Sequence, residues 1–186
     1  MNVALFLDRD GVINVDGNYV HNRHEFLWCD GIFELCRAAH QHGYRLIVVT
    51  NQSGIGRGRY SQADFASLME WMCNEMSAQG APIAKVYHCP YHPDAVLPQY
   101  RADHPWRKPA PGMILQARDD LGLDLSRSIL IGDRPSDIAA ASLAGIGISV
   151  FVGSPAVAAL MNVPPSVVVS DIRATIDWFL GRHRSS

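Results

Sequence analysis

The chain has 186 residues, 48% hydrophobic and 18% charged, with a formal net charge of −2. That size and apolar share suit one globular unit spanning 1–186 and exclude a wholly disordered chain. The near-neutral balance supplies no basic field to recruit nucleic acid or an acidic membrane, and no run approaches the ~18 apolar residues of a membrane-spanning helix.

Residues 1–8 carry no basic start and reach an acid at Asp8, so no secretory signal is expected. Val3–Leu7 (VALFL) is a continuous apolar run that predicts a buried parallel strand. The stretch 14–29 follows neither a helical nor a strand period. Asp30 is placed to cap a helix with the stripe Ile32, Leu35, Cys36 and Ala39, which Gly43 stops. A second strand is predicted at 46–49 (LIVV). Ser61 opens the next helix, with Asp64 where a capping box carries its acid. Its inner face is Phe65, Leu68, Met69, Met72 and Met76, and Gly80 ends it. A less apolar strand is predicted at 85–88 (KVYH). The stretch 89–108 is long and rich in Pro and His. Loops as long as 14–29 and 89–108 are usually functional, and neither is large enough to form a separate covering domain. Helices at 111–121 and 136–144 close on Gly122 and Gly145 and flank a strand at 129–131 (ILI). Strands at 148–152 (ISVFV) and 167–169 follow, Asp171 caps a last helix through Leu180, and 182–186 reads as a frayed tail. The alternation implies an α/β fold, doubly wound around a mainly parallel, Rossmann-like sheet. Cys29, Cys36, Cys73 and Cys89 lie far apart, which suits a reduced, cytoplasmic protein.

In such sheets ligands bind beyond the carboxyl ends of the strands. Three of the predicted strands run there into polar residues: Asp8-Arg9-Asp10-Gly11, Thr50-Asn51-Gln52-Ser53-Gly54, and Gly132-Asp133-Arg134-Pro135-Ser136-Asp137. An acid after a strand can simply cap a turn, but three such ends gather oxygen-bearing side chains around one point. Metal-assisted phosphoryl transfer fits that set. Carboxylates are hard ligands for Mg²⁺, held by Asp8 and Asp133. Asp8 can attack phosphorus to give an aspartyl-phosphate, and Asp10, two residues on, points to the same side as a general acid/base. A carboxylate approaching a phosphate dianion meets repulsion of about 4 kcal/mol per charge pair at 4 Å and an effective dielectric near 20. Cations are therefore required. Lys108 supplies a compact charge, Arg107 a planar fork, and Thr50 with the amides after it completes the donors.

The motifs Asp8-Arg9-Asp10-Gly11-Val12-Ile13-Asn14, Val49-Thr50-Asn51-Gln52-Ser53-Gly54, Arg107-Lys108-Pro109 and Ile131-Gly132-Asp133-Arg134 closely resemble the four motifs of the haloacid dehalogenase superfamily, and its histidinol-phosphatase branch in particular. The resemblance runs from about residue 3 to 150. It implies that core without a separate cap, Asp8 as nucleophile and Asp10 as general acid/base. It also implies Mg²⁺ bound by Asp8, the Asp10 backbone carbonyl and Asp133, with the phosphoryl group held by Thr50 and Lys108. Asp16 to Tyr19, Asn51, Gln52, Ser53, Arg107 and Arg134 match positions that contact substrate in the family, and Arg134 replaces a lysine common there. The implied substrate is a small phosphorylated sugar such as a heptose bisphosphate, with Arg57, Arg59 and Arg107 as candidates for its second phosphate; a monomer is expected, with no nucleic-acid or membrane partner.

One departure concerns zinc, which members of this branch carry on the long loop through Cys-x-His and Cys-x-Cys. Here those pairs read Cys89-Pro90-Tyr91 and His104-Pro105-Trp106, so only Cys89 is kept; His104 is a candidate substitute for one thiolate, and His88 and His92, at irregular spacing, are the residues left to complete a four-ligand set. The competing expectation is a loop packed by Tyr91, Trp106 and its prolines. Three alternatives stay open on sequence alone: a histidinol-phosphate phosphatase, a phospho-receiver module and a polynucleotide-end phosphatase. The Asp8-x-Asp10 spacing speaks against the receiver, and the lack of a basic or aromatic track against the nucleic-acid substrate.

Overall fold

The computed structural model describes residues 2–184. Six strands, β1 (Val3–Leu7), β2 (Tyr44–Asn51), β3 (Ile83–Cys89), β4 (Ile129–Gly132), β5 (Ile148–Val152) and β6 (Val167–Val169), form one parallel sheet in the order β3-β2-β1-β4-β5-β6. Between them lie α1 (Ile32–Gln41), α2 (Ser53–Gly56), α3 (Gln62–Ala78), α4 (Gly112–Leu121), α5 (Pro135–Ala144) and α6 (Pro155–Ala158), and α7 (Ile172–Arg184) closes the described chain.

The unbroken apolar strands follow from burial on both faces. Side chains alternate along a strand, so Leu5 and Leu7 join one core with α1, α3 and α7, whereas Ala4 and Phe6 join the other with α4 and α5. The strand order reverses on either side of β1, where chain order leads outward to β2 on one flank and to β4 on the other. The carboxyl ends of β2, β1 and β4 therefore lie side by side at a topological switch point.

Most ends follow local chemistry. Ser61 Oγ accepts from the Asp64 amide at 3.1 Å while Asp64 Oδ2 accepts from the Ser61 amide at 2.8 Å, a reciprocal cap with Asp in place of Glu. Asp171 Oδ1 accepts from the Ala174 amide at 2.8 Å. Other ends differ from expectation. Gly31, left-handed at φ 87°, caps α1 without a side chain, because the Asp30 carboxylate is drawn to Arg173 of α7, with both oxygens held at 2.8 Å. Residues 182–184 continue α7 rather than fraying, while 185 and 186 lie outside the described residues. The 85–88 segment belongs to a seven-residue strand, β3, and α5 starts one residue early, on Pro135. The one-turn helix α2 escapes a periodicity argument because four residues are too few to show one.

The two irregular stretches are pinned rather than loose. Val20 and Phe26 bury themselves from 14–29, and Phe26 packs edge-on against Trp28 and Trp71. In 89–108, Tyr91 stacks on His104 with ring centres 4.1 Å apart, and the Leu97 amide donates to the Gly56 carbonyl at 2.9 Å.

Candidate active site

The carboxyl ends of β1, β2 and β4 open into a cavity of about 450 Å³, lined among others by Asp8, Asp10, Thr50, Asn51, Gln52, Lys108 and Asp137. Asp8 follows β1 directly, and its amide donates to the Ile131 carbonyl of the neighbouring strand at 3.0 Å, which holds it in the plane of the sheet. Gly11, at φ 86°, turns the chain immediately after Asp10, and a Cβ there would collide with the Asp133 carboxylate. Only glycine permits this approach of the first loop to the third.

Lys108 is a buried cation that lines the cavity, 3% exposed. Its Nζ lies 3.0 Å from Asp8 Oδ1 and 2.6 Å from Asp137 Oδ1, and donates to the Val49 carbonyl at 2.8 Å. Its backbone is clamped as well: Asn51 Nδ2 donates to the Lys108 carbonyl and Asn51 Oδ1 accepts from the Lys108 amide, both at 3.0 Å. The clamp ties the end of the long loop to the end of β2. Burial works against the ammonium, but Asp137 and Asp8 outweigh it and hold Lys108 above the ordinary lysine value.

Asp10 is engaged from three directions. Arg9, fully buried, reaches its two oxygens with Nη2 at 2.6 and 2.8 Å, Asn14 Nδ2 donates at 3.1 Å, and Gln52 Nε2 donates at 3.1 Å. Gln52 Nε2 also donates to Thr50 Oγ1 at 2.8 Å, which leaves the threonine hydroxyl hydrogen free for a ligand.

Asp8, Asp133 and Asp137 each offer an oxygen within 4.8 Å of the others. Burial, reinforced by Asp137, Asp133 and Asp10 against the opposing pull of Lys108, pushes the Asp8 carboxyl up to about 7. Burial, with Asp137, pushes Asp133 up to about 6. The buried Oδ1 of Asp133 has no hydrogen-bond partner. Arg9 serves Asp10, and Lys108 serves Asp8 and Asp137, so Asp133 is the acid left without its own cation. Hard carboxylate donors, mutual repulsion and one unpartnered oxygen fit Mg²⁺.

Of the expected site residues, Asp8, Asp10, Asp16, Tyr19, Thr50, Asn51, Gln52, Ser53, Arg107, Lys108 and Arg134 line this cavity, while Asp133 joins it through the acid group. Asp16 and Arg134 pair at 2.7 Å across its rim. Tyr19 sits beside them at φ 64°, a left-handed backbone that costs about 1 kcal/mol or more for a bulky residue and is common at ligand clamps. Arg57 and Arg59 are not among the lining residues. Arg57 Nη2 lies 3.2 Å from His92 Nε2, and Arg59 stands over the Tyr19 ring at 5.7 Å. Of the arginines considered, Arg107 and Arg134 are the ones that line it. Asp137 was missed as a functional residue because an acid in the first turn of a helix reads as a cap. It does cap, accepting from the Arg134 amide at 2.9 Å, but being 1% exposed it also holds Lys108. The available signal was a single acid in an otherwise uncharged, alanine-rich helix (PSDIAAASLA).

The loop residues considered for zinc are not drawn together. Among the described residues, Cys89, His92 and His104 form no group with ligand atoms within 4.8 Å of one another. Cys89 is buried with Sγ directed at the Tyr91 carbonyl, His92 faces Arg57, and the His104 ring is stacked on Tyr91. Ring contacts among Tyr91, Tyr100, His104 and Trp106 pack this part of the loop.

The HAD-hydrolase-like family model matches residues 105–175. D-glycero-alpha-D-manno-heptose-1,7-bisphosphate 7-phosphatase of Burkholderia mallei is 53% identical over 151 residues, covering 81% of this chain and 80% of the relative. The D-glycero-beta-D-manno-heptose-1,7-bisphosphate 7-phosphatase of Yersinia pestis is 43% identical over 179 residues, covering 95% and 89%. The crystal structure of D,D-heptose 1,7-bisphosphate phosphatase from B. bronchiseptica, complexed with magnesium and phosphate, superposes with a TM-score of 0.84 at 26% identity, covering 98% of this chain and 99% of that one. With its acids, lysine and switch-point cavity in that setting, the chain belongs to the heptose 1,7-bisphosphate 7-phosphatase family of the HAD-like hydrolases.

Proposed function

We propose that this protein hydrolyses D-glycero-D-manno-heptose 1,7-bisphosphate to the 1-phosphate through a phosphorylated Asp8. The observation that carries the reading is the Asp8–Lys108 pair at 3.0 Å, with the buried, unpartnered Asp133 oxygen in the same group of acids as Asp8 and Asp137. Mg²⁺, held by Asp8, Asp133 and the Asp10 carbonyl, would neutralise charge on the carboxylates and the phosphoryl oxygens. An Asp8 oxygen attacks phosphorus, the bond from phosphorus to the sugar oxygen breaks, and Asp10 gives that oxygen its proton. Asp10 then takes a proton from water, whose oxygen attacks the same phosphorus and returns Asp8 as a free carboxylate. Lys108 and Thr50 hold the phosphoryl oxygens, and Asp137 keeps Lys108 in place. Asp16, Tyr19, Arg107 and Arg134 form the rim that meets the sugar and its second phosphate.

We read the chain as one domain acting as a monomer in the cytoplasm, which its four free cysteines support. No helix among the described residues is long and apolar enough to cross a membrane. A steady-state comparison with Mg²⁺ tests the substrate. The heptose 1,7-bisphosphate anomers are expected to be turned over with a higher kcat/KM than histidinol phosphate, and preference for the latter would overturn the assignment.

A further inference from the structure

A chain of hydrogen bonds runs from Asp10 through Gln52 to Tyr60, on the wall of the same cavity. Gln52 is 2% exposed, and its Nε2 donates to Asp10 Oδ2 at 3.1 Å and to Thr50 Oγ1 at 2.8 Å. Its Oε1 accepts from the Tyr60 hydroxyl at 2.5 Å. A primary amide has two hydrogens and one oxygen to place, and all three are used here. Turned over by half a rotation, the same amide would set its oxygen against the Asp10 carboxylate. The donor at Oε1 therefore favours the orientation that serves Asp10.

Tyr60 is built to be that donor. It is 8% exposed, its ring occupies the space a side chain at Gly54 would need, and it stacks on His21 with ring centres 5.3 Å apart. Burial raises the phenol well above its ordinary value, so the hydroxyl keeps its hydrogen. Gly54 is in turn the last residue of the Thr50-Asn51-Gln52-Ser53-Gly54 stretch, two residues after the amide, so the close approach of the phenol to Gly54 brings it to Gln52 as well.

We propose that Tyr60 is a positioning residue that acts through Gln52, locking the amide so that Asp10 is held for proton transfer to the leaving oxygen. Gln52 on this account serves the acid/base residue rather than the sugar. The inference rests on the reading of Asp10 as general acid.

The test compares kcat/KM for two leaving groups. A sugar alkoxide needs a proton as it departs, whereas p-nitrophenolate does not. Tyr60→Phe keeps the ring and removes only the hydroxyl. It is expected to lower kcat/KM for the heptose bisphosphate about tenfold or more, with KM within about twofold. On p-nitrophenyl phosphate it is expected to stay within about threefold. Gln52→Leu also removes the donor to Thr50, so it should lower both rates, that for the heptose bisphosphate more; adding Tyr60→Phe to it should cost less than about twofold more on either substrate, since the phenol acts only through the amide. An equal loss on both substrates, no loss on either, or additive losses in the double variant would overturn the proposal. Asp10→Asn, measured alongside, separates the two ideas. If it shows no leaving-group selectivity, the reading of Asp10 fails; if it is selective and Tyr60→Phe is not, only the role of Tyr60 fails.

Discussion

Asp8 sits among three other acids, and that crowding makes its substitution informative. Asp8→Asn removes the nucleophile and one of the like charges at once, while Lys108 keeps its 2.6 Å partner Asp137. Turnover is expected to fall by about 10³-fold or more, with the melting temperature in metal-free buffer at pH 7.5 equal to or above that of the parent. Activity within tenfold of the parent would remove Asp8 as nucleophile. Gly11→Ala is expected to act in the opposite sense. The new methyl meets the Asp133 carboxylate and the backbone is at φ 86°, so magnesium affinity should drop and the fold lose about 1 kcal/mol or more. Calorimetric titration with Mg²⁺ and a thermal melt check both parts, and parent-like magnesium binding would show that the loop is less tightly set. Asp8 and Asp133 were legible in the sequence because several apolar runs end in oxygen-bearing side chains, and Lys108 because such a gathering of acids around a phosphate demands a cation. Asp137 was not, since its second partner, Lys108, arrives from a segment 29 residues earlier that only the tertiary fold brings close.

Between elements, the clamp of Asn51 on Lys108 joins the end of β2 to the end of the 89–108 stretch. Its two 3.0 Å bonds set where the lysine backbone stands, and small displacements of a charged group that stabilises a transition state are costly. Asn51→Ala is expected to lower kcat by about 10–100-fold while leaving the protein folded, and an unchanged kcat would make the clamp dispensable. Ser61→Ala removes the cap of α3, which should cost about 1 kcal/mol of stability and leave kcat within twofold. A melt and a rate on the same sample separate these two kinds of contact. The strands, α3 and its cap were legible because they depend on near neighbours. The Gly31 cap of α1 was not, because Asp30 is claimed by Arg173 across 143 residues of sequence. The zinc question belongs to this scale too: sequence kept Cys89, His92 and His104 as candidate ligands, and among the described residues they are held by separate contacts, His104 on Tyr91 and His92 on Arg57.

Across the whole molecule, the buried acids make stability depend jointly on protons and metal. Asp8 titrates near 7 when folded and near 3.8 in its ordinary state, so between those values the folded protein binds more protons than the unfolded one. Its contribution to stability is therefore largest at low pH and is lost as pH rises through about 7. His88 and His92, both held below the ordinary histidine value by burial, work in the opposite direction, so the Asp8 effect is read as a difference. In chelator, the melting temperature of the parent minus that of Asp8→Asn is expected to fall from pH 5 to pH 7.5, and saturating Mg²⁺ should abolish the fall. A difference that rises with pH in chelator would contradict this electrostatic account of the centre.

Transient esterification of Asp8 is the claim on which the rest depends, and borohydride quenching during turnover tests it directly. Acyl phosphates are reduced by borohydride to the alcohol, so peptide mapping of enzyme quenched in the presence of Mg²⁺ and heptose bisphosphate should find homoserine at position 8. Reduction at Asp133 or another aspartate instead, or full turnover with no reduced aspartate at any position, would contradict it.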